Sequence, residues 1–145
     1  MAGPRRETGR WALLEHDADI GLRAEAASRE ALFELMGEAL TAVVTSPAAV
    51  QTQTQVTIRC QAPDDAMLMV DWLNALIYAM ATRRMLFGAW HVVLDGGALT
   101  ARVGGEVVDR RRHCPAVEIK GATYTDLAVG RTPGGLWRAQ CVVDV

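Results

Sequence analysis

The residues with the clearest potential for chemistry lie in the segment His16-Asp17-Ala18-Asp19-Ile20, between two apolar stretches. In an extended backbone Asp17 and Asp19 point to the same side, where two carboxylates favour a bound cation. The alternative, which spacing alone leaves open, is that both aspartates hydrogen-bond to the backbone of a turn. His16 is either a ligand or proton carrier of such a site, or a structural hydrogen-bonding residue.

A second acidic group stands at the end of the sequence, where Asp144 is followed by the terminal carboxylate of Val145. Chain ends are usually solvated, but the apolar residues 141–143 predict that this end is held in a sheet. If the two acidic groups meet, carboxylates about 4 Å apart repel by about 4 kcal/mol per pair at an effective dielectric of about 20. A cation would then be required, and oxygen ligands select a hard ion such as Ca²⁺, Mg²⁺ or Mn²⁺.

Two further residues are candidates for contact with a phosphate or an acidic partner. His113 ends the basic run Arg110-Arg111-Arg112, which either binds a phosphate or is a solvated loop. Lys120 lies in a strand-like segment and either contacts a phosphate or an acidic partner, or is an exposed strand lysine. The sequence contains no phosphate-binding glycine-rich loop and no nucleophile elbow. Its three cysteines follow no metal-ligand spacing, and we expect them to be reduced.

The elements that must position these groups follow from periodicity. Alternation predicts strands at residues 11–14, 20–26 and 52–60, and helical spacing predicts a helix from Ser28 to Ser46. A second, largely apolar helix is predicted from Pro63 to Thr82, with Asp71 and Asn74 on one side. A hairpin across Asp95-Gly96-Gly97, strand composition throughout residues 117–129, and a final strand at 137–143 complete the chain.

This order predicts an α+β fold, a two-layer sandwich in which two main helices pack on one face of a largely antiparallel sheet. Residues 1–10 are expected to form a flexible basic tail and residues 11–145 a single domain. The longest apolar stretch falls short of the ~20 residues that span a bilayer, so we expect a cytoplasmic protein that contacts no membrane. A formal net charge of -2 disfavours tight RNA binding through charge, so any RNA contact would be made through a partner.

Four segments, taken in order, resemble the archease family, and the resemblance covers nearly everything from Trp11 onward. They are Leu14-Glu15-His16-Asp17-Ala18-Asp19-Ile20-Gly21, Val70-Asp71-Trp72-Leu73-Asn74, Ile119-Lys120-Gly121-Ala122-Thr123-Tyr124 and Val143-Asp144-Val145. The resemblance implies a non-catalytic accessory protein of the RtcB-type RNA ligase, which seals phosphate ends to 5′-hydroxyl ends with GTP and a divalent metal. It implies that the protein promotes guanylylation and repeated turnover of that ligase in tRNA splicing or RNA repair.

The resemblance also implies the residues of a metal site. Asp19, Asp144 and the carboxylate of Val145 would hold a divalent ion, calcium in the family, with Mg²⁺ or Mn²⁺ as functional alternatives. His16, Asp17, His113 and Lys120 are carried over as residues around the ion or in contact with the partner.

The chain departs from the family pattern at Asp17, where threonine is usual, at Gly121, where alanine is common, and at Thr125, where many members have histidine. The added charge of Asp17 would alter the affinity of the site or its preference among ions. Two other functions are weighed against the ligase activator: a metal-dependent phosphohydrolase that uses the same carboxylates, and a chaperone-like interaction module with a structural metal.

Overall fold

The computed structural model describes Gly3, residues 9–16 and residues 18–145. The helices and strands are, in order, β1 (Gly9–His16), β2 (Asp19–Ala26), α1 (Arg29–Val44), β3 (Thr54–Gln61), α2 (Asp65–Arg83), β4 (Met85–Asp95), β5 (Ala98–Val107), α3 (Arg110–His113), β6 (Gly121–Ala122), β7 (Ala128–Arg131) and β8 (Trp137–Asp144). Most of the predicted basic tail, residues 1–10, lies outside the described residues, and Gly9 and Arg10 already belong to β1.

The strands form two antiparallel sheets. The first has the order β1-β2-β8-β6, with β7 also paired to β8, and the second has the order β3-β5-β4. The α+β class and the antiparallel pairing predicted from the sequence are confirmed. The strands are divided between two sheets, however, and the helices contact both of them, whereas the sequence predicted helices on one face of a single sheet.

Helix α1 occupies the centre of the molecule. It packs against β1 and β2 of the first sheet and against β4 of the second, so it is buried on almost every side. As predicted, Ser28 caps its N-terminus by accepting a hydrogen bond from the backbone N–H of Ala31 at 3.1 Å. The core therefore lies between the two sheets, around this helix.

Helix α2 lies beside α1 and also contacts both sheets, through β3 and β4 on one side and β6 and β7 on the other. Asp64 caps its N-terminus through a hydrogen bond from the N–H of Met67 at 2.8 Å. The indole N–H of Trp72 donates to the carbonyl of Phe33 at 2.9 Å, which ties the two helices together within the core. No helix in the described part of the chain is long and apolar enough to cross a membrane.

Two segments differ from their predicted structure. Residues 117–129 do not form one strand: only β6 and β7 pair with β8, and a turn with Asp126 at a φ of 52° separates them. Residues 110–113 form the short helix α3 instead of a loop, because the side chain of Asp109 accepts hydrogen bonds from the N–H groups of Arg111 and Arg112. The hairpin is as predicted, with Gly96 at a φ of 59° between β4 and β5.

Candidate metal centre

Asp19 and Asp144 lie at the same end of two neighbouring strands. Strands β2 and β8 are antiparallel, and the last pair in their register joins Ile20 to Val143. Asp19 precedes Ile20 and Asp144 follows Val143, so the two aspartates stand one step further along this pair of strands. Facing residues of antiparallel strands share a face, with Cα atoms about 4.5–5.5 Å apart. The register therefore places Asp19 and Asp144 side by side, although they lie near opposite ends of the sequence.

Alternation along both strands fixes the face on which these carboxylates lie. Leu22 and Ala24 of β2 and Val143 of β8 are all no more than 1% exposed, because they face the helices. Asp19 and Asp144 are out of phase with these residues and project from the opposite face of the sheet. Asp144 is exposed and Asp19 is partly exposed, so both carboxylates are accessible to solvent ions.

The end of β8 is held in place by the chain segment that precedes β6. The backbone N–H of Lys120 donates to the carbonyl of Asp144 at 2.8 Å, and Gly121 is registered directly opposite Asp144. Val145 is partly buried and packs against the core. Val145 is therefore held next to Asp144. We call Asp19, Asp144 and Val145 the carboxylate edge.

Helix α2 supports this edge through Asn74. The side-chain oxygen of Asn74 accepts a hydrogen bond from the N–H of Ala122 at 2.8 Å, and this bond joins the helix to β6. Sequence reasoning placed Asn74 on the polar side of an apolar helix but missed this contact, because no local pattern reveals the strand that a helix side chain meets. Asp71, which would need a partner if buried, is exposed.

The donor set of the carboxylate edge fits a hard divalent cation. Asp19, Asp144 and the carboxylate of Val145 offer only oxygen atoms, the ligands that Ca²⁺, Mg²⁺ and Mn²⁺ take in proteins. Within the described residues no three His, Cys, Asp or Glu side chains gather closely enough to hold one ion. The carboxylate of Val145, the residue after Asp144, is a further oxygen donor at this edge. Asp17 lies outside the described residues, and only the backbone of His16 is described.

Two arginines on the same face of the sheet, Arg138 and Arg10, pair with Glu25 further along the strands. Arg138 bonds Glu25 at 2.7 Å, and Arg10 lies 3.5 Å from the same carboxylate. The hydrogen bond from Arg138 is the main reason why the pKa of Glu25 lies below its usual value. No salt bridge engages Asp19 or Asp144 in the described part of the chain, so these carboxylates are available to a bound ion.

Of the residues predicted to surround the ion, Lys120 meets the carboxylate edge through its backbone and leaves its side chain exposed. His113 is held elsewhere, with a side chain that is fully buried beside Glu106. Its Nδ1 accepts from the N–H of Asp109 at 2.8 Å, and its Nε2 lies 3.2 Å from a carboxylate oxygen of Glu106. The contacts of His113 therefore serve the packing of α3 against β5.

Glu106 is a buried carboxylate that sequence reasoning missed. It binds the guanidinium of Arg112 through both oxygens and accepts the N–H of Gln51 at 2.5 Å. These bonds, with that of Arg112 the largest contribution, lower the pKa of Glu106 to about 2. In the sequence, Glu106 stands in an apolar strand six residues before Arg112. Such spacing is common on exposed strands, so it does not by itself indicate a buried ion pair.

The three cysteines are free thiols, and two of them have raised pKa values. Burial raises the pKa of Cys141 to about 11, and burial together with the nearby charge of Asp71 raises that of Cys60 to about 11 as well. Cys114 is exposed. Neither Cys60 nor Cys141 is therefore a candidate nucleophile.

Comparison with known proteins identifies the sequence relatives. Residues 11–145 match the archease protein family. The archease of Pyrococcus furiosus is 32% identical over 139 residues, which cover 93% of this chain and 98% of that protein. The archease of Methanosarcina barkeri is 33% identical over 137 residues, which cover 91% and 93%.

Solved structures share the fold. The solution structure of protein 1598 of Methanobacterium thermoautotrophicum has a TM-score of 0.82 at 24% identity, covering 93% of this chain and 98% of that one. The crystal structure of a Thermotoga maritima protein, described as an archease and possible chaperone, has a TM-score of 0.58 at 17% identity and covers 91% and 94%.

Proposed function

The chain belongs to the archease family, and from this premise we propose that it is a non-catalytic accessory protein that activates an RtcB-type, GTP-dependent RNA ligase. The ligase reaction would serve tRNA splicing or RNA repair in the cytoplasm. The protein promotes guanylylation of the ligase and its return to the active state for further turnovers. RNA is bound by the ligase, in keeping with the formal net charge of -2 of this chain.

The observation that carries this proposal is the register that sets Asp19 beside Asp144 on an accessible face of the sheet. Asp19, Asp144 and the carboxylate of Val145 are the ligands that we propose for a divalent ion, Ca²⁺, Mg²⁺ or Mn²⁺. A divalent ion held there would supply positive charge at the phosphates of GTP. The protein residues hold the three carboxylates together, and Lys120 and Gly121 keep the end of β8 in position through the backbone.

The metal site is tested by direct binding, without the ligase. Asp19→Asn and Asp144→Asn keep the size of each side chain and remove its charge, so each should weaken Mn²⁺ binding by at least about tenfold. Electron paramagnetic resonance of free Mn²⁺ measures this affinity. Asp95→Asn, at an aspartate of the hairpin between β4 and β5 that is exposed as Asp144 is, is the matched control and should bind Mn²⁺ as the wild type does.

The function is tested by guanylylation of the matching ligase at limiting metal, with and without this protein. The wild type and Asp95→Asn should accelerate guanylylation and allow multiple turnover, and Asp19→Asn and Asp144→Asn should not. Normal stimulation by the Asp19→Asn, Asp144→Asn double variant would contradict the role of the carboxylate edge. Hydrolysis of phosphate esters by this protein alone would contradict a purely accessory role.

The thermal stability of each variant separates this function from a chaperone-like module. Asp19 and Asp144 are accessible and make no salt bridge among the described residues, so their substitution should leave the melting temperature nearly unchanged. Stimulation that fell only in proportion to thermal stability would favour the chaperone-like module with a structural metal.

A further inference from the structure

A groove of about 780 Å³ opens on the molecule between the C-terminal half of α2, the ends of β4 and β5, and residues 115–119. Its lining is mainly apolar and includes Val44, Ile77, Met80, Met85, Leu86 and Ile119. Pockets of this size and composition are typical of binding sites.

The rim of the groove is positively charged. Arg84 and Arg110 line it, and no salt bridge engages either guanidinium within the described residues. Arg83 and Arg111 adjoin them in sequence and are exposed. Among the described residues that line the groove, Glu118 is the one that is acidic. In a chain whose formal net charge is -2, this local excess of positive charge favours an acidic ligand.

Large apolar side chains are exposed at the mouth of the groove. Val107 is 67% exposed and Val117 is 37% exposed, and both contribute to the lining. Apolar side chains clustered at a groove and rimmed by charge are characteristic of protein interaction sites.

The backbone at Arg84 gives an independent reason to regard this rim as functional. Arg84 ends α2 with a φ of 52°, in the left-handed region that glycine usually occupies at this position. Its carbonyl accepts the N–H of Val108, the residue that follows β5, at 2.9 Å, and this bond holds the conformation. An arginine in a strained position keeps a guanidinium at the groove at some cost to stability.

We propose that this arginine-rimmed groove docks an amphipathic segment of a partner protein, apolar along one side and acidic at its flanks. The identity of the partner as the ligase rests on the proposed function. The groove and the carboxylate edge share one segment, because Ile119 lines the groove and the next residue, Lys120, donates its N–H to Asp144. A partner segment in the groove is therefore anchored beside the carboxylate edge.

The test measures the affinity of the ligase for variants of this protein by fluorescence anisotropy at two salt concentrations. Val107→Asp and Arg110→Glu should each raise Kd at least about tenfold, and Arg110→Glu should also reduce the salt dependence. The matched controls are Val93→Asp, at a strand valine of the same sheet that is 53% exposed, and Arg102→Glu, at an exposed arginine of β5. Both should bind as the wild type does.

Arg84→Gly separates binding from folding. Glycine suits the left-handed conformation, so this variant should melt at the same temperature as the wild type or higher, yet bind the ligase more weakly. A photo-crosslinker at position 107 should attach to a segment of the ligase that has acidic residues beside apolar ones.

Several outcomes would overturn the inference. Groove variants that bind and stimulate the ligase normally would overturn it and leave the proposed function intact. Failure of the wild type to bind or stimulate the ligase would overturn both. A crosslink to RNA or to a basic segment, or a dimer of this chain in sedimentation that Val107→Asp abolishes, would also refute the docking of an acidic partner segment.

Discussion

Glu106, Arg112 and His113 show how one buried carboxylate organises its surroundings. Glu106 is 4% exposed and is satisfied by the guanidinium of Arg112, the imidazole of His113 and the N–H of Gln51. Together these contacts tie β5, α3 and the segment before β3 into one unit. A buried charge is tolerated only when it is paired and hydrogen-bonded, so removing any partner leaves the carboxylate poorly compensated.

The low pKa of Glu106 predicts a specific dependence of stability on pH. The folded-state pKa is about 2, below the ordinary value of 4.5. The unfolded chain therefore binds the proton first, and the stability that Glu106 contributes is present above about pH 4.5 and is lost as the pH falls toward about 2. Glu106→Gln should lower the melting temperature at neutral pH and flatten its decline between these two pH values.

The control for this prediction is Glu118→Gln, at an exposed glutamate that makes no salt bridge within the described residues. Its melting temperature should follow the wild-type pH profile. Parallel profiles for the wild type and Glu106→Gln would show that Glu106 contributes nothing to the acid sensitivity of the fold.

At the scale of the elements, β2 and the segment between residues 117 and 129 show what the sequence could and could not predict. In β2, apolar and polar residues alternate without interruption, because one face of the strand covers the helices. Residues 117–129 have strand composition too. However, Ala122 pairs with Val143 and Ala128 with Gln140, so five residues on one side face only two on the other. The extra residues form the turn at Asp126, and no local pattern predicts such a bulge.

The two helices were predicted well but their surroundings were not. The capping residues and the apolar spacing of α1 are local features, and Ser28 occupies the predicted position. Burial of α1 on almost every side follows from a second sheet, and the sequence cannot indicate which hairpins join which sheet.

Gly121 of β6 provides a test of local packing next to the carboxylate edge. A Cβ atom at this position would lie 3.6 Å from the side-chain oxygen of Asn74, an ordinary contact, and the backbone is not in the left-handed region. Gly121→Ala should therefore stabilise the protein by about 0.5–1 kcal/mol by reducing the entropy of the unfolded chain. Urea unfolding measures the change.

The matched variant is Gly105→Ala in β5. There a Cβ atom would lie 1.9 Å from the carbonyl oxygen of Leu86, a backbone atom that cannot move aside easily. Gly105→Ala should destabilise the protein by about 1–3 kcal/mol. If Gly121→Ala were equally destabilising, a Cβ atom at position 121 would not have the space beside Asn74 on which this prediction depends.

At the scale of the whole molecule, distant parts of the sequence form one surface. Asp19 and Asp144 are brought together by the pairing of β2 with β8, a contact between opposite ends of the chain. The sequence showed two acidic groups, each with an ordinary structural explanation, and only the resemblance to a family joined them. The groove has no sequence signature, because its lining comes from α1, α2 and α3, from β4 and β5 and from the segment before β6.

The contribution of the terminal carboxylate gives the sharpest test of this arrangement, because it can be changed without altering any side chain. Amidation of Val145 removes one negative charge and keeps the backbone in place. It should weaken Mn²⁺ binding by at least about tenfold and reduce stimulation of the ligase, while the melting temperature changes little. One glycine added after Val145 should have the same effect, because it moves the carboxylate by about 3.5 Å.

The control is an extension at the N-terminus of the same protein. One residue added before Met1 should change neither metal affinity nor stimulation, because Asp19 contributes its side chain and not a terminus. Full Mn²⁺ affinity in the amidated protein would show that the terminal carboxylate is not a ligand, and the ion would then depend on Asp19 and Asp144 alone. A loss in the amidated protein and in the protein extended after Val145, but not in the protein extended before Met1, would establish that the last residue acts through its main chain. Side-chain substitution of Val145 cannot reveal that role.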